Sequence, residues 1–200
     1  MRSLLECLRQ RRSIRRYRPE PVPNHLVEQM LEAAIWAPSA HNRQPWRFVV
    51  IREAATKHRL AAAMGKQLRA DLTADGVPEE VIAKDVNRSY QRLTGAPLLV
   101  LVCLSMADMD AYPDAQRQRN EWIMAAQSTA MAGQNLLLAA HALGLGACWM
   151  CAPLFVPDVV GETLDLPADW EPQGLVTIGY PAEAKEKTRE PLATRVRYVD

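Results

Sequence analysis

With 200 residues, 48% of them hydrophobic and 24% charged, the chain has the size and composition of one folded domain with its own core. Twenty-four Lys and Arg against 23 Asp and Glu leave a formal net charge of +1. This excludes a general field for nucleic acid or an anionic membrane, so any anion binding must be local.

No apolar run reaches the roughly 20 residues that span a bilayer. Four cysteines make no disulfide framework, so a cytoplasmic protein with reduced thiols is expected. The Arg-rich, acid-poor start has the composition of an organellar transit peptide, but it runs straight into patterned sequence and is read as part of the fold.

Leu4, Leu5 and Leu8 share one helical face, which predicts a short amphipathic helix over residues 3–12. Pro19, Pro21 and Pro23 force an extended connector. Asn24 then serves as N-cap of a second helix, carrying Leu26, Met30, Leu31, Ala34 and Ile35 and ending at Pro38. Arg47–Ile51 and Pro97–Leu104 read as buried strands, with two or three helices between them and a break at Gly76-Val77-Pro78. Residues 114–143 form the longest helical pattern, apolar around most of its circumference. A dimer partner is the simplest cover for such a helix. Gly144 and Gly146 stop it, and a third strand over Gly174–Gly179 precedes a basic tail from Lys185 to Arg197. The order predicts a single α+β domain over residues 1–200, with a small central sheet wrapped by helices.

Four stretches carry chemistry. Arg9, Arg11, Arg12, Arg15, Arg16 and Arg18 crowd into ten positions, with Ser13 among them. Guanidinium groups this dense need an anion or solvent; a phosphate monoester suits their planar forks, and a solvated basic face or a nucleic-acid patch is the plainer reading. The loop Ala37-Pro38-Ser39-Ala40-His41-Asn42-Arg43-Gln44-Pro45-Trp46 offers uncharged donors and acceptors for a heteroaromatic edge, or simply satisfies its own backbone. In the third stretch, Leu143 to Pro153, glycines permit close backbone approach to a ligand, and Trp149 with Met150 offers an apolar wall. Cys148 and Cys151 invite a redox or zinc reading. No second pair completes a four-ligand site, since Cys7 and Cys103 stand alone, and buried small thiols are expected. The fourth stretch, Lys185, Lys187 and Arg189, gains meaning only by converging with the first cluster on one anion.

In register, Arg11-Arg12-Ser13-Ile14-Arg15-Arg16-Tyr17, Pro21-Val22-Pro23, Leu31-Glu32-Ala33-Ala34, Ala37-Pro38-Ser39 and Asn42-x-Gln44-Pro45-Trp46 resemble the nitroreductase family of FMN-dependent oxidoreductases. The resemblance runs from Arg11 to about Arg189. It implies a mostly antiparallel sheet wrapped by helices and an intertwined homodimer around long central helices, with FMN at the interface. Arg11, Arg12 and Ser13 would hold the FMN phosphate, with Lys187 and Arg189 closing it. Arg15 would reach the N1/O2 edge of the isoalloxazine. Pro38, Ser39 and Ala40 would come from the partner subunit, and Asn42 and Gln44 would lie near the ring or ribityl chain. Cys148, Trp149, Met150, Cys151 and Ala152 would pass beside the ring, with backbone N–H groups near N5. Better-known members often carry an acidic residue and a glycine where Cys151 and Ala152 stand, so that contact rests on backbone. The segment 65–94 would serve as the lid.

The implied activity is ping-pong transfer of hydride from NADH or NADPH to a small organic acceptor such as a nitro compound, quinone or enone, with no metal, membrane or nucleic acid involved. No side chain need act as nucleophile, because the flavin carries the chemistry. His41 is read as bonded to neighbouring backbone rather than as a proton donor. Competing readings are flavin dismantling or deazaflavin-cofactor biosynthesis on the same fold, a non-catalytic flavin carrier, and a nucleic-acid arm.

Overall fold

The computed structural model describes residues 3–199. Helix α1 spans Leu4–Gln10 and opens on a capping box: the Glu6 N–H donates to Ser3 Oγ, and the Ser3 N–H donates to the Glu6 carboxylate at 2.8 Å. It is shorter than expected because Arg11 is already extended. Leu4, Leu5 and Leu8 do share a face, but that face points away from the protomer, and only Cys7 is buried.

Helix α2 covers Asn24–Ile35 with Pro23, not Asn24, at the cap position. Extended Pro23 leaves Asn24 free to take the first helical turn. The helix ends three residues ahead of Pro38, where the chain must leave α geometry before the ring. Strand β1 is Trp46–Ile51. Helices α3 (Ala54–Ala74) and α4 (Glu79–Thr94) form a hairpin that breaks where expected, with Gly76 at φ +72°.

Strand β2, Leu98–Leu104, leads to α5, Ala115–Ala142, capped by the Asp114 carboxylate accepting from the Arg117 N–H. Gly144, at φ +79°, ends α5, and the Leu145 N–H returns to the Ala140 carbonyl at 2.8 Å. The glycine-bearing stretch that follows is itself a strand, β3 (Gly146–Met150), which the pattern had concealed. Helix α6 (Pro157–Leu164) was also missed. Strand β4 runs over Glu171–Gly179, starting three residues before the expected Gly174 because Glu171 and Pro172 still pair with Leu104 and Cys103 beyond an irregularity in register.

The sheet order is β1-β2-β4-β3, and every ladder is antiparallel. Strand β2 is buried on both faces, which is why it reads as an unbroken apolar run. Its alternation divides the core. Leu98, Val100 and Val102 meet Met30 and Ala34 of α2 and Leu136 and Ala140 of α5. Leu99, Leu101 and Cys103 meet Leu60 and Met64 of α3, Leu93 of α4 and Val160 of α6. Each fully buried leucine contributes about 2–3 kcal/mol relative to exposure. Burial pushes the Cys103 thiol up to about 12, so it stays neutral. Helix α5 buries one face within the protomer and leaves Ile123 and Met131 outside. No helix among the described residues is long and apolar enough to cross a membrane.

Candidate flavin site

The Arg-rich segment is an extension of the sheet. Ser13 bridges Ala147 in parallel, and the Ile14 N–H donates to the Ala147 carbonyl at 3.1 Å. Further along, Arg18 donates to the Tyr180 carbonyl at 2.8 Å and Ala182 to the Arg16 carbonyl at 3.0 Å. The segment thus crosses the free edge of β3 and follows the chain leaving β4. Gly146 permits the approach, since a Cβ there would fall 2.8 Å from Ile14 Cβ. Tyr17 pins the segment: its hydroxyl donates to backbone at Ile14 or Thr177 and lies 2.7 Å from Thr177 Oγ1. Burial raises the phenol above its usual range, so it remains a donor.

This path brings Arg11 beside Arg12 and Arg189. Burial, then the Arg189 charge, then the Arg12 charge lower the Arg11 pKa. None of Arg11, Arg12, Arg15 and Arg189 joins a salt bridge among the described residues. Arg12 caps α1 by donating to the Arg9 and Arg11 carbonyls at 2.6 and 2.9 Å, and its buried Nε has no partner. Arg11 and Arg12 line a cavity of about 260 Å³ with Gly144, Gly146, His141 and Lys185. Lys187 lies exposed in the tail, and Arg189 donates to the Thr188 carbonyl at 3.1 Å. Arg15 donates to the Ser13 carbonyl at 3.3 Å through its guanidinium and to the Glu183 carboxylate at 2.7 Å through its backbone.

Along β3, the Cys148 carbonyl accepts from Thr177 Oγ1 on the β4 side, whereas the Ala147 carbonyl faces Ile14. Alternation therefore turns the Trp149 N–H to the same free edge as Ala147. The Trp149 indole turns inward into a slot where Cβ atoms at Gly133 and Gly174 would come within 2.4 and 2.2 Å of it. The apolar wall expected of Trp149 is thus on the core side. The Trp149 Nε1–H donates to Cys151 Sγ at 3.2 Å. Cys148 is buried but Cys151 is exposed, which corrects the expectation of two buried thiols. Met150 is half-buried, and Ala152 opens a 3-10 turn over Ala152–Phe155.

The Pro38–Gln44 loop is strained and ordered by its own polar groups. His41, Asn42 and Gln44 all have positive φ, at 49°, 56° and 53°. Ser39 Oγ accepts from the Gln44 N–H at 3.1 Å, and the Ala40 N–H donates to Ser128 Oγ at 3.2 Å. The Asn42 and Gln44 side chains are left on an exposed surface. Within one protomer this loop is far from the arginines. Ser128, which it touches, lies about 20 Å along α5 from His141 at the arginine cavity. The loop also feeds β1, at the sheet edge opposite β3 and about 14 Å away.

The family model for the nitroreductase family matches residues 8–180. The chain belongs to the nitroreductase family. It is 40% identical over 185 residues to an NADH dehydrogenase of Thermus thermophilus, with 86% of this chain and 84% of that protein aligned. A Methanothermobacter thermautotrophicus protein assigned as an NADH dehydrogenase/NAD(P)H nitroreductase is 30% identical, over 90% of this chain and 78% of its own length. Among solved structures, a Desulfovibrio desulfuricans protein assigned to the nitroreductases and crystallised in complex with FMN superposes with TM-score 0.78 at 32% identity, covering 100% of this chain and 98% of that one. A BluB-like flavoprotein of Clostridium difficile superposes with TM-score 0.83 at 22% identity over the whole of both chains, a likeness of fold.

Seen as a nitroreductase-family protein, the chain carries a cation set with an orphaned buried Nε, which fits a phosphate monoester. Sequence reasoning overlooked Glu183, which ties the Arg15 backbone and pairs with Lys185 at 3.2 Å. Burial pushes the Glu183 carboxyl up, but the Arg15 N–H and the Lys185 ammonium outweigh it and hold it below the usual range. Glu183 stands two residues ahead of the basic tail, which also carries Glu186 and Glu190, so nothing in the sequence singled it out. Ser128 was hidden in a helical pattern, where a hydroxyl has no periodicity to mark it.

Proposed function

We propose that the chain is an FMN-dependent NAD(P)H oxidoreductase that works in the cytoplasm as a homodimer and reduces a small organic acceptor by a ping-pong cycle. The observation that carries this is the placement of Arg11 and Arg12, which join no salt bridge among the described residues, on one cavity at the free edge of β3, with the Arg189 charge acting on Arg11. FMN, when bound, supplies the chemistry by accepting hydride and passing it on. Arg11, Arg12, Ser13, Lys187 and Arg189 would hold its phosphate. Arg15 would set positive charge at the pyrimidine edge of the ring, where negative charge gathers on reduction. The β3 edge at Trp149 and the turn from Cys151 to Ala152 would offer backbone N–H groups to N5, independent of side-chain type.

The second subunit has a physical role in this reading. Pro38, Ser39, Ala40, Asn42 and Gln44 stand too far from the arginines of their own protomer to share one cofactor with them, so they would serve the partner's flavin. The exposed apolar residues support this, with Trp36 80% exposed beside Ile35, and Leu4, Leu5 and Leu8 along α1. Substrate contact would fall to the flavin face, and none of the four histidines has an assigned step.

The test is an absorbance spectrum of the purified protein before and after anaerobic addition of NADH or NADPH. The expected result is a flavin band near roughly 450 nm that bleaches with at least one donor. A colourless protein that cannot be reconstituted with FMN would overturn the proposal.

A further inference from the structure

A second basic cavity, of about 460 Å³, lies between the Arg15–Tyr17 segment and the C-terminal half of α4. Arg15, Arg16, Arg88, Arg92 and Lys185 supply five cations to its wall, against the single carboxylate of Glu183. That carboxylate is already engaged by the Arg15 N–H and by Lys185. Arg88 has an Asp85 partner at 2.8 Å, one turn back on its own helix, while Arg92 and Arg16 join no salt bridge among the described residues.

Placement near the end of α4 explains part of this, because cations there complement the helix dipole. It does not explain why Arg15, Arg16 and Lys185, from two other segments, face the same space. Like charges gathered across a cavity repel, and an anion relieves them. The void is also much larger than one phosphate group. Its lining shares only Glu183 and Lys185 with the cavity around Arg11 and Arg12, so it is separate from the proposed FMN phosphate site, and Arg15 on its wall sets it beside the proposed flavin ring.

We propose that this cavity binds a phosphate monoester carried by a substrate, distinct from the phosphate of FMN. Arg88 and Arg92, one turn apart on α4, are its selective elements. The inference rests on the oxidoreductase reading. The two nicotinamide donors differ by one such group, the 2′-phosphate of NADPH, and the donor is the favoured source. A phosphorylated acceptor is the other.

The experiment compares wild type with Arg88→Gln, Arg92→Gln and Arg92→Lys. Each is measured for kcat and KM with NADPH and NADH, for FMN content, and for phenyl phosphate binding by calorimetry. Wild type should favour NADPH by about tenfold or more in kcat/KM, each Gln variant should raise KM for NADPH about five- to fiftyfold, and Arg92→Lys should retain part of the preference. NADH kinetics and FMN content should not change. Equal use of both donors, with phenyl phosphate binding that weakens in the Gln variants, would assign the monoester to the acceptor and uphold the site. Phenyl phosphate binding that is absent, or unaffected by the Gln variants, together with no donor preference, overturns it. Loss of FMN from the Gln variants also overturns it, by assigning the cavity to the cofactor. Because the phenyl phosphate titration needs no flavin, it decides the cavity even if the flavin reading fails.

Discussion

The backbone N–H of Arg15 donates to the Glu183 carboxylate at 2.7 Å, joining the N-terminal arginine segment to the chain beyond β4. Folding holds the Glu183 carboxyl below its usual range, with hydrogen bonds and Lys185 overcoming the opposing effect of burial. A carboxylate depressed in the folded state contributes stability that is complete above its unfolded pKa, about 4.3, and lost as pH falls through the folded value. Amide exchange at Arg15 should therefore be slow at neutral pH and should accelerate below about pH 4.3, beyond the intrinsic change in exchange rate. Glu183→Gln should remove that pH dependence. An Arg15 amide equally protected in wild type and variant across this range would show that the contact does not organise the segment.

Arg11→Gln and Arg189→Gln should each weaken FMN binding by about 10- to 100-fold, the loss of one charge-assisted contact of roughly 1.5–3 kcal/mol. Riboflavin, which lacks the phosphate, should bind both variants as it binds wild type. The check is fluorescence titration of both flavins. Equal losses for the two would remove the arginines from the phosphate site.

The slot around Trp149 predicts a stability effect. Gly133→Ala puts a methyl group 2.4 Å from the indole, and Gly174→Ala puts one 2.2 Å from it. Each should destabilise by about 1–3 kcal/mol in urea titrations, since neither β4 nor α5 can easily shift. Trp149→Leu should cost stability alone yet lessen the penalty of Gly174→Ala, a coupling that a double-mutant cycle would register. Additive losses would mean that the ring simply moves aside.

Trp36→Ser should leave the protomer fold intact, because the side chain is 80% exposed, yet shift a dimer toward monomer in sedimentation velocity. FMN content should fall with it, since the Ser39–Gln44 loop would no longer reach the partner's arginines. A variant that stays dimeric and fully loaded would place the interface elsewhere.

Local chemistry was legible in the chain itself. Prolines, glycines and apolar runs marked α2, β1, β2, the α3–α4 break and the end of α5, because dihedral limits and burial act through near neighbours. The arginine cluster was legible as a dense like charge that needs an anion or solvent whatever the fold. Other features had no local signal. β3 is short and was masked by Gly146 and the preceding Gly144, whose purposes are set by Ile14 and by the close of α5. The outward face of α1 has the same periodicity as an inward one.

Only the tertiary structure decided which distant groups meet. It set Arg189 beside Arg11, Glu183 under the Arg15 backbone and the Trp149 ring between two glycines, and it set the Ser39–Gln44 loop at the far edge of the sheet. The physical reason is that side-chain pattern determines what each segment must bury, while strand order and register determine which segments bury it together.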